Sequence, residues 1–162
     1  MAITFDSLPT NISEFTALAE GKLTNPEYTC ALFLCALNIF INNKDEGIAA
    51  INILKGPQPL SPTEINWFKD RVSDKKYLPK VYFAGSTPEN NYEPTKPYTV
   101  NLLPDPNPSY CEEGYLRLYV KEKGFDSPRA FKLRQKGDCY YIWEVLAIMT
   151  GVRTPVAQDP WA

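Results

Sequence analysis

No histidine occurs among the 162 residues of this chain. That removes the commonest general base, the commonest transition-metal ligand and the base half of a Ser-His or Cys-His nucleophile pair. Cysteine is sparse: Cys30, Cys35, Cys111 and Cys139, with no C-x-x-C spacing among them. No metal site and no cofactor is therefore expected, and only carboxylate sites for magnesium or calcium stay open. An excess of one charge is also missing. There are 17 basic and 19 acidic residues, a net charge of −2. A protein so balanced has no long-range basic field for nucleic acid, although a local patch is compatible with these numbers. The expected partners accordingly exclude nucleic acid.

Long hydrophobic runs are absent too. The longest, Tyr28 to Ile41, is interrupted by Asn38 and falls short of the roughly 20 residues that span a bilayer. The first residues, Met1-Ala-Ile-Thr-Phe-Asp-Ser-Leu8, lack the basic and apolar regions of a signal peptide. The expectation is a cytoplasmic protein with no membrane partner, its four thiols free in a reducing compartment. Catalytic signatures are missing in the same way: no G-x-S-x-G, no phosphate-binding loop, no G-x-G-x-x-G and no H-E-x-x-H. The carboxylate pairs Asp45-Glu46 and Glu112-Glu113 are adjacent, so their side chains diverge, and nothing sets two acids at the separation of a glycosidase.

What is present divides into two kinds of pattern. With 44% hydrophobic and 13% aromatic residues, the chain can bury a core without crosslinks. The first half has helical grammar. Asn11 to Glu20 is a short amphipathic segment ended by Gly21. Asn25-Pro26 is a cap followed by proline at the first helical position. Cys30 to Leu37 is apolar on every face, which places that helix at the centre of the fold. Asp45 to Leu54 carries Ile48, Ile51 and Leu54 at helical spacing and stops at Gly56-Pro57. Ser61-Pro-Thr-Glu64 is a capping box, and Ile65, Phe68 and Val72 form the stripe of the helix behind it.

After Lys76 the period changes to two. Val81-Tyr-Phe-Ala84 and Tyr98-Thr-Val-Asn-Leu-Leu103 read as strands, separated by a polar loop over 85–97. Residues 114–145 read as a meander of three strands, with a tight turn at Gly137-Asp138 and a longer one at Gly124-Phe-Asp-Ser-Pro128. Helices first and strands afterwards predict an α+β fold, with N-terminal helices packed on one face of a C-terminal, mainly antiparallel sheet. One domain is expected over 1–162, helical over about 11–73, sheet over about 79–145, with a tail over 151–162.

Three segments carry a resemblance to a known family. They are Thr87-Pro-Glu-Asn-Asn-Tyr-x-Pro-x-Lys-Pro-Tyr-Thr-Val100, Asp126-Ser-Pro-Arg-x-x-x-Leu-Arg-x-Lys-Gly137 and Tyr141-x-Trp-Glu144. The chain resembles a bacterial family of small cytoplasmic proteins of unknown function over residues 46–155. The resemblance implies no activity. It does mark positions worth inspecting.

Those positions have two readings each. In the loop, Glu89, Asn90, Asn91 and Tyr92 can donate, accept and stack toward a ligand or peptide, or can simply frame the loop. At the turn, Asp126 and Ser127 can close their own backbone, while Arg129 is a fork for a carboxylate or other anion. Arg134 and Glu144 are candidates for a cross-strand ion pair. If the protein has a site, Glu89, Asn90, Asn91, Tyr92, Asp126, Ser127, Arg129 and Arg134 are its expected residues. The function expected from all this is a non-enzymatic binding or protein-interaction module, of immunity or accessory type, for a protein partner or small ligand. The rival is a ligand-binding or enzymatic α+β domain with a pocket between helices and sheet.

Overall fold

A computed structural model describes residues 1–162. Four helices precede the main sheet: α1 Ile12–Ala19, α2 Pro26–Asn42, α3 Lys44–Lys55 and α4 Pro62–Val72. Each begins on a side-chain cap. Asn11 accepts from the Glu14 amide, Asn25 from the Glu27 and Tyr28 amides, and Asn43 from the Glu46 amide. Ser61 and Glu64 bond reciprocally across the first turn of α4. Each cap satisfies amide donors that the helix itself leaves without a partner.

Helix α2 is the central element. Every residue from Cys30 to Leu37 is fully buried. Eight consecutive residues turn through more than two full revolutions, so this helix must be enclosed on all sides. Helix α3 folds back along it after the Asn43 cap. The two backbones approach so closely at Gly47 that a Cβ there would sit 2.1 Å from the Phe40 Cα. Only glycine fits that crossing.

Two antiparallel sheets complete the fold. Strand β1 (Ala2–Phe5) pairs with β2 (Tyr98–Asn101), and β3 (Leu103–Pro104), β4 (Tyr115–Val120), β5 (Arg129–Lys136) and β6 (Cys139–Glu144) form a four-stranded sheet in that order. The inner face of the larger sheet presents Leu118, Val120, Phe131, Leu133 and Ile142 to the helices. The Phe33 ring of α2 meets Phe131 edge-on at 6.2 Å. One hydrophobic cluster of 37 buried residues runs from Ile3 to Val152 and draws on both the helical and the sheet halves. No helix is long and apolar enough to cross a membrane.

The α+β arrangement and all four helix positions agree with the sequence reading; four details differ. The single strand expected over Tyr98–Leu103 is split at Leu102 into β2 and β3, which belong to different sheets. Residues 81–84 do not form a strand. Leu78–Tyr82 is a 3-10 turn, because Leu78, Val81, Tyr82 and Phe83 are all fully buried and a strand of one sheet would expose alternate residues. Strand β1 was not expected, although Ala2-Ile-Thr-Phe5 alternates exposed and buried in register with β2. The register between β5 and β6 also departs from the simple meander. Leu133 faces Ile142, whereas Lys132 faces Glu144, so Trp143 is the extra residue of a bulge. Arg134 faces Tyr141, as the two-residue turn at Gly137-Asp138 sets it, and no Arg134–Glu144 ion pair forms.

Gly56 joins the helical half to the sheet. It ends α3 with φ of 66°, and a Cβ there would lie 2.8 Å from the Tyr141 ring. Both the positive φ and the ring exclude a side chain. Gly56→Ala should cost about 2 kcal/mol. That corresponds to a loss of roughly 4–8 °C in the melting temperature of a domain this size, measurable by differential scanning calorimetry. An unchanged melting temperature would contradict this packing.

Candidate functional site

The residues singled out from sequence fall into two places. Three of them, Arg129, Asp126 and Tyr92, converge on the segment that follows β6. Arg129, at the start of β5, donates to the carbonyls of Ala147 at 2.9 Å, Gly151 at 2.7 Å and Thr150. Its guanidinium lies 4.7 Å from the centre of the Phe125 ring. Asp126 forms an ion pair with Arg153, which also donates to the Lys123 carbonyl at 2.7 Å. Tyr92 is buried, donates its hydroxyl proton to the Arg153 carbonyl at 2.6 Å, and stacks on Tyr77 at 5.3 Å.

Asn90 closes its own loop. Its side chain accepts from the Thr87 and Glu93 amides and donates to the Gly85 and Glu93 carbonyls. Asn91 and Tyr92, the next two residues of the same turn, both take positive φ, 61° and 54°. Asn91, Glu89 and Ser127 are exposed. Glu89 borders an open, polar crevice between Thr87–Glu89 and the last residues of the chain. Asn90, Tyr92, Asp126 and Arg129 are thus already bonded within the protein.

Arg134 lies elsewhere. It sits on the outer face of the large sheet, its guanidinium 4.8 Å from the Trp143 ring centre and 5.3 Å from that of Tyr115. Those two rings meet edge-on at 5.4 Å. Lys132, two residues earlier on the same face, reaches over Tyr115 at 5.1 Å. Lys136, two residues later, is exposed. None of Lys132, Arg134 and Lys136 forms an ion pair with a carboxylate.

Beside them lies a groove of about 390 Å³ between the end of α3 and the β5–β6 hairpin. Lys55, Gln58, Arg134, Lys136, Tyr141 and Trp143 are among its walls, and no carboxylate lines it. Lys55 is held by Glu64 at 3.6 Å, which leaves the two cations of β5 as the free charges. Gly56 permits this groove, because its missing side chain lets the 55–58 corner lie against Tyr141.

The sequence reading missed Lys136, Tyr141 and Trp143 as partners of Arg134. A signal was there. Residues 115–144 contain seven basic and four acidic side chains, in a chain that is acidic as a whole. Whole-chain charge concealed it. The bulge that sets Glu144, in place of Trp143, opposite Lys132 leaves no mark in the sequence pattern.

A family model described as "Domain of unknown function (DUF6935)" matches residues 7–156. That span contains the whole of the 46–155 stretch on which the resemblance rests, and α1 and α2 besides. No curated protein and no solved structure matches the chain.

Two expectations follow from the Arg129 and Tyr92 contacts. Arg129→Ala leaves three carbonyls without their donor and should destabilise the protein by about 3 kcal/mol. Arg129→Lys should restore only part of it, since an ammonium lacks the planar fork; urea unfolding of both variants measures this. The second concerns alkaline pH. Burial first, then the nearby Tyr77 and Glu89, push the Tyr92 phenol up to about 12 against the opposing Arg153, and burial also raises Tyr82. A phenol whose pKa is higher folded than unfolded stabilises fully below about pH 10 and loses that contribution as pH rises through its folded value. Unfolding free energy should therefore fall between about pH 10 and 12, and Tyr92→Phe should flatten part of that fall. Equal pH slopes for both proteins would contradict the assignment.

Proposed function

The chain belongs to the family described as a domain of unknown function, DUF6935, and on that footing we propose that it is a non-enzymatic binding domain whose site is the basic groove on the outer face of its large sheet. The observation that carries this reading is Arg134. A guanidinium held between two aromatic rings, with no carboxylate paired to it, is oriented in advance and still has its donors free. Lys136 adds a second cation at the same groove. The occupant that complements such a wall carries anionic groups such as phosphate or carboxylate.

Whereas the rival reading places a pocket between helices and sheet, the groove runs from the outer face of the sheet to the end of α3. Its lining of cations, amides and rings serves binding; a proton-transfer step needs a group that titrates near neutral pH. We take the whole chain as one domain, because a single hydrophobic cluster joins its halves. A cytoplasmic setting suits four thiols that are all unpaired.

The Glu89–Tyr92 loop and the Asp126–Arg129 turn serve, in this reading, to hold the C-terminal segment. Inorganic polyphosphate is a suitable probe. Titrated into the protein at low ionic strength, it should shift the amide resonances of Gln135 and Lys136 and the Trp143 indole. The double variant Arg134→Gln/Lys136→Gln should lose at least tenfold in affinity with its melting temperature within about 2 °C of the parent. Shifts confined to the Glu89–Arg153 crevice, or an affinity unchanged in the double variant, would overturn the proposal.

A further inference from the structure

The outer face of the sheet has a pattern along β5 that a single anion does not need. Lys132, Arg134 and Lys136 alternate with residues of the opposite face, so their side chains emerge in a row at a repeat of ~6.8 Å. That repeat is close to the spacing of successive phosphates along an extended single strand. Aromatic rings flank the row on both sides. Tyr115 and Tyr119 lie on β4, opposite Arg134 and Ala130, while Tyr141 lies on β6 opposite Arg134 and Trp143 fills the bulge next to it. Trp143 keeps 38% of its surface exposed, enough for one ring face to receive another flat group.

Cations outnumber acids on this face, with Arg117, Lys132, Arg134 and Lys136 against Asp105 and Glu144. Of these, Arg117 is held by Asp105 at 2.9 Å. Glu144 faces Lys132 across the ladder without an ion pair, and Asp138 sits in the hairpin turn. We propose, building on the anion-groove reading, that β5 and its flanking rings bind single-stranded nucleic acid, with phosphates along Lys132, Arg134 and Lys136 and bases stacked on Trp143 and Tyr141. A cationic track between aromatic platforms is the arrangement that recognises single strands without reading their sequence.

The chemistry distinguishes this occupant from other polyanions. An acidic peptide or polyphosphate uses the cations and leaves the rings idle. A nucleic-acid strand uses both. A duplex keeps its bases stacked on each other and offers nothing to Trp143. The modest number of free cations also sets a modest salt dependence, because each neutralised phosphate of a single strand releases about 0.7 of a counterion.

The deciding measurement is a fluorescence-anisotropy titration of the full chain, with a labelled oligouridylate of about eight nucleotides as probe. Competition by unlabelled polyphosphate, poly-glutamate and duplex of matched length follows. The single strand should bind, with affinity falling about two decades for each tenfold rise in salt. Trp143→Leu should weaken it about tenfold, and by more than it weakens polyphosphate, which loses only the seating of Arg134. Arg134→Gln/Lys136→Gln should weaken both. If polyphosphate or poly-glutamate binds and the oligonucleotide binds no better, or if Trp143→Leu leaves oligonucleotide affinity unchanged, the nucleic-acid inference fails and the anion groove stands. Duplex binding as tight as single-strand binding also overturns it. If none of the probes binds, both readings fail together.

Discussion

Everything in this fold follows from the need to cover α2. A helix that is apolar all round has no side it can leave to water, and Cys30 to Leu37 are all fully buried. Helix α3 lies along one side, permitted by the glycine at position 47. The inner face of the large sheet takes another, through Phe131 against Phe33. The 3-10 turn at Leu78–Tyr82 and strand β1 also pack against it. Polar groups on α2 serve the same attachment. Thr29, also fully buried, donates to the Tyr140 carbonyl at 3.0 Å and so pins the edge strand β6 to the helix start. The buried thiols belong to this argument. Desolvation raises the pKa of Cys30 and Cys35, so both stay neutral and behave as small apolar side chains.

The second constraint is the return of the chain after β6. Residues 146–156 form no strand of either sheet, and their backbone carbonyls need donors from elsewhere. Arg129 supplies three, and the Tyr92 hydroxyl supplies another at Arg153. The Arg153 side chain and amide then tie this return to the Lys123–Asp126 turn. Loops that looked polar and ligand-ready in the sequence are polar because backbone groups of a distant segment depend on them. That is why the same residue types, Asn, Tyr, Asp and Arg, read equally well as site or as scaffold until their partners are known.

Legibility divides along the same physical line. Helices α1 to α4 were readable because their signals are local: caps at Asn25 and Ser61, prolines at 26 and 62, and glycine stops at 21 and 56. The Gly137 turn was readable for the same reason. The 81–84 segment was misread because a run that is buried on both sides has no period of its own. Strand β1 has four residues and depends on Tyr98–Asn101, nearly a hundred positions away. In the groove, Arg134 was legible as an exposed cation on a strand. Its neighbours were not, since a one-residue bulge decides whether Trp143 or Glu144 faces Lys132. Pattern alone pairs Arg134 with the nearest acid, and the register pairs it with rings.

The two faces of the large sheet therefore carry different kinds of information. The inner face is dictated by α2: its residues must be apolar and of the right volume, and any protein with this core would need something similar. The outer face is under no such demand. For stability alone, Lys132 and Arg134 would be served as well by carboxylates across the strands, since exposed pairs of either kind contribute little. The strands instead set these cations among Tyr115, Tyr141 and Trp143; Glu144 faces Lys132 without pairing to it, while Asp105 pairs with Arg117 and Glu64 with Lys55. Exposed aromatic surface carries a solubility cost that a folded monomer does not need to bear. In the proposed reading, the unpaired cations and rings of this face serve an occupant and not the core.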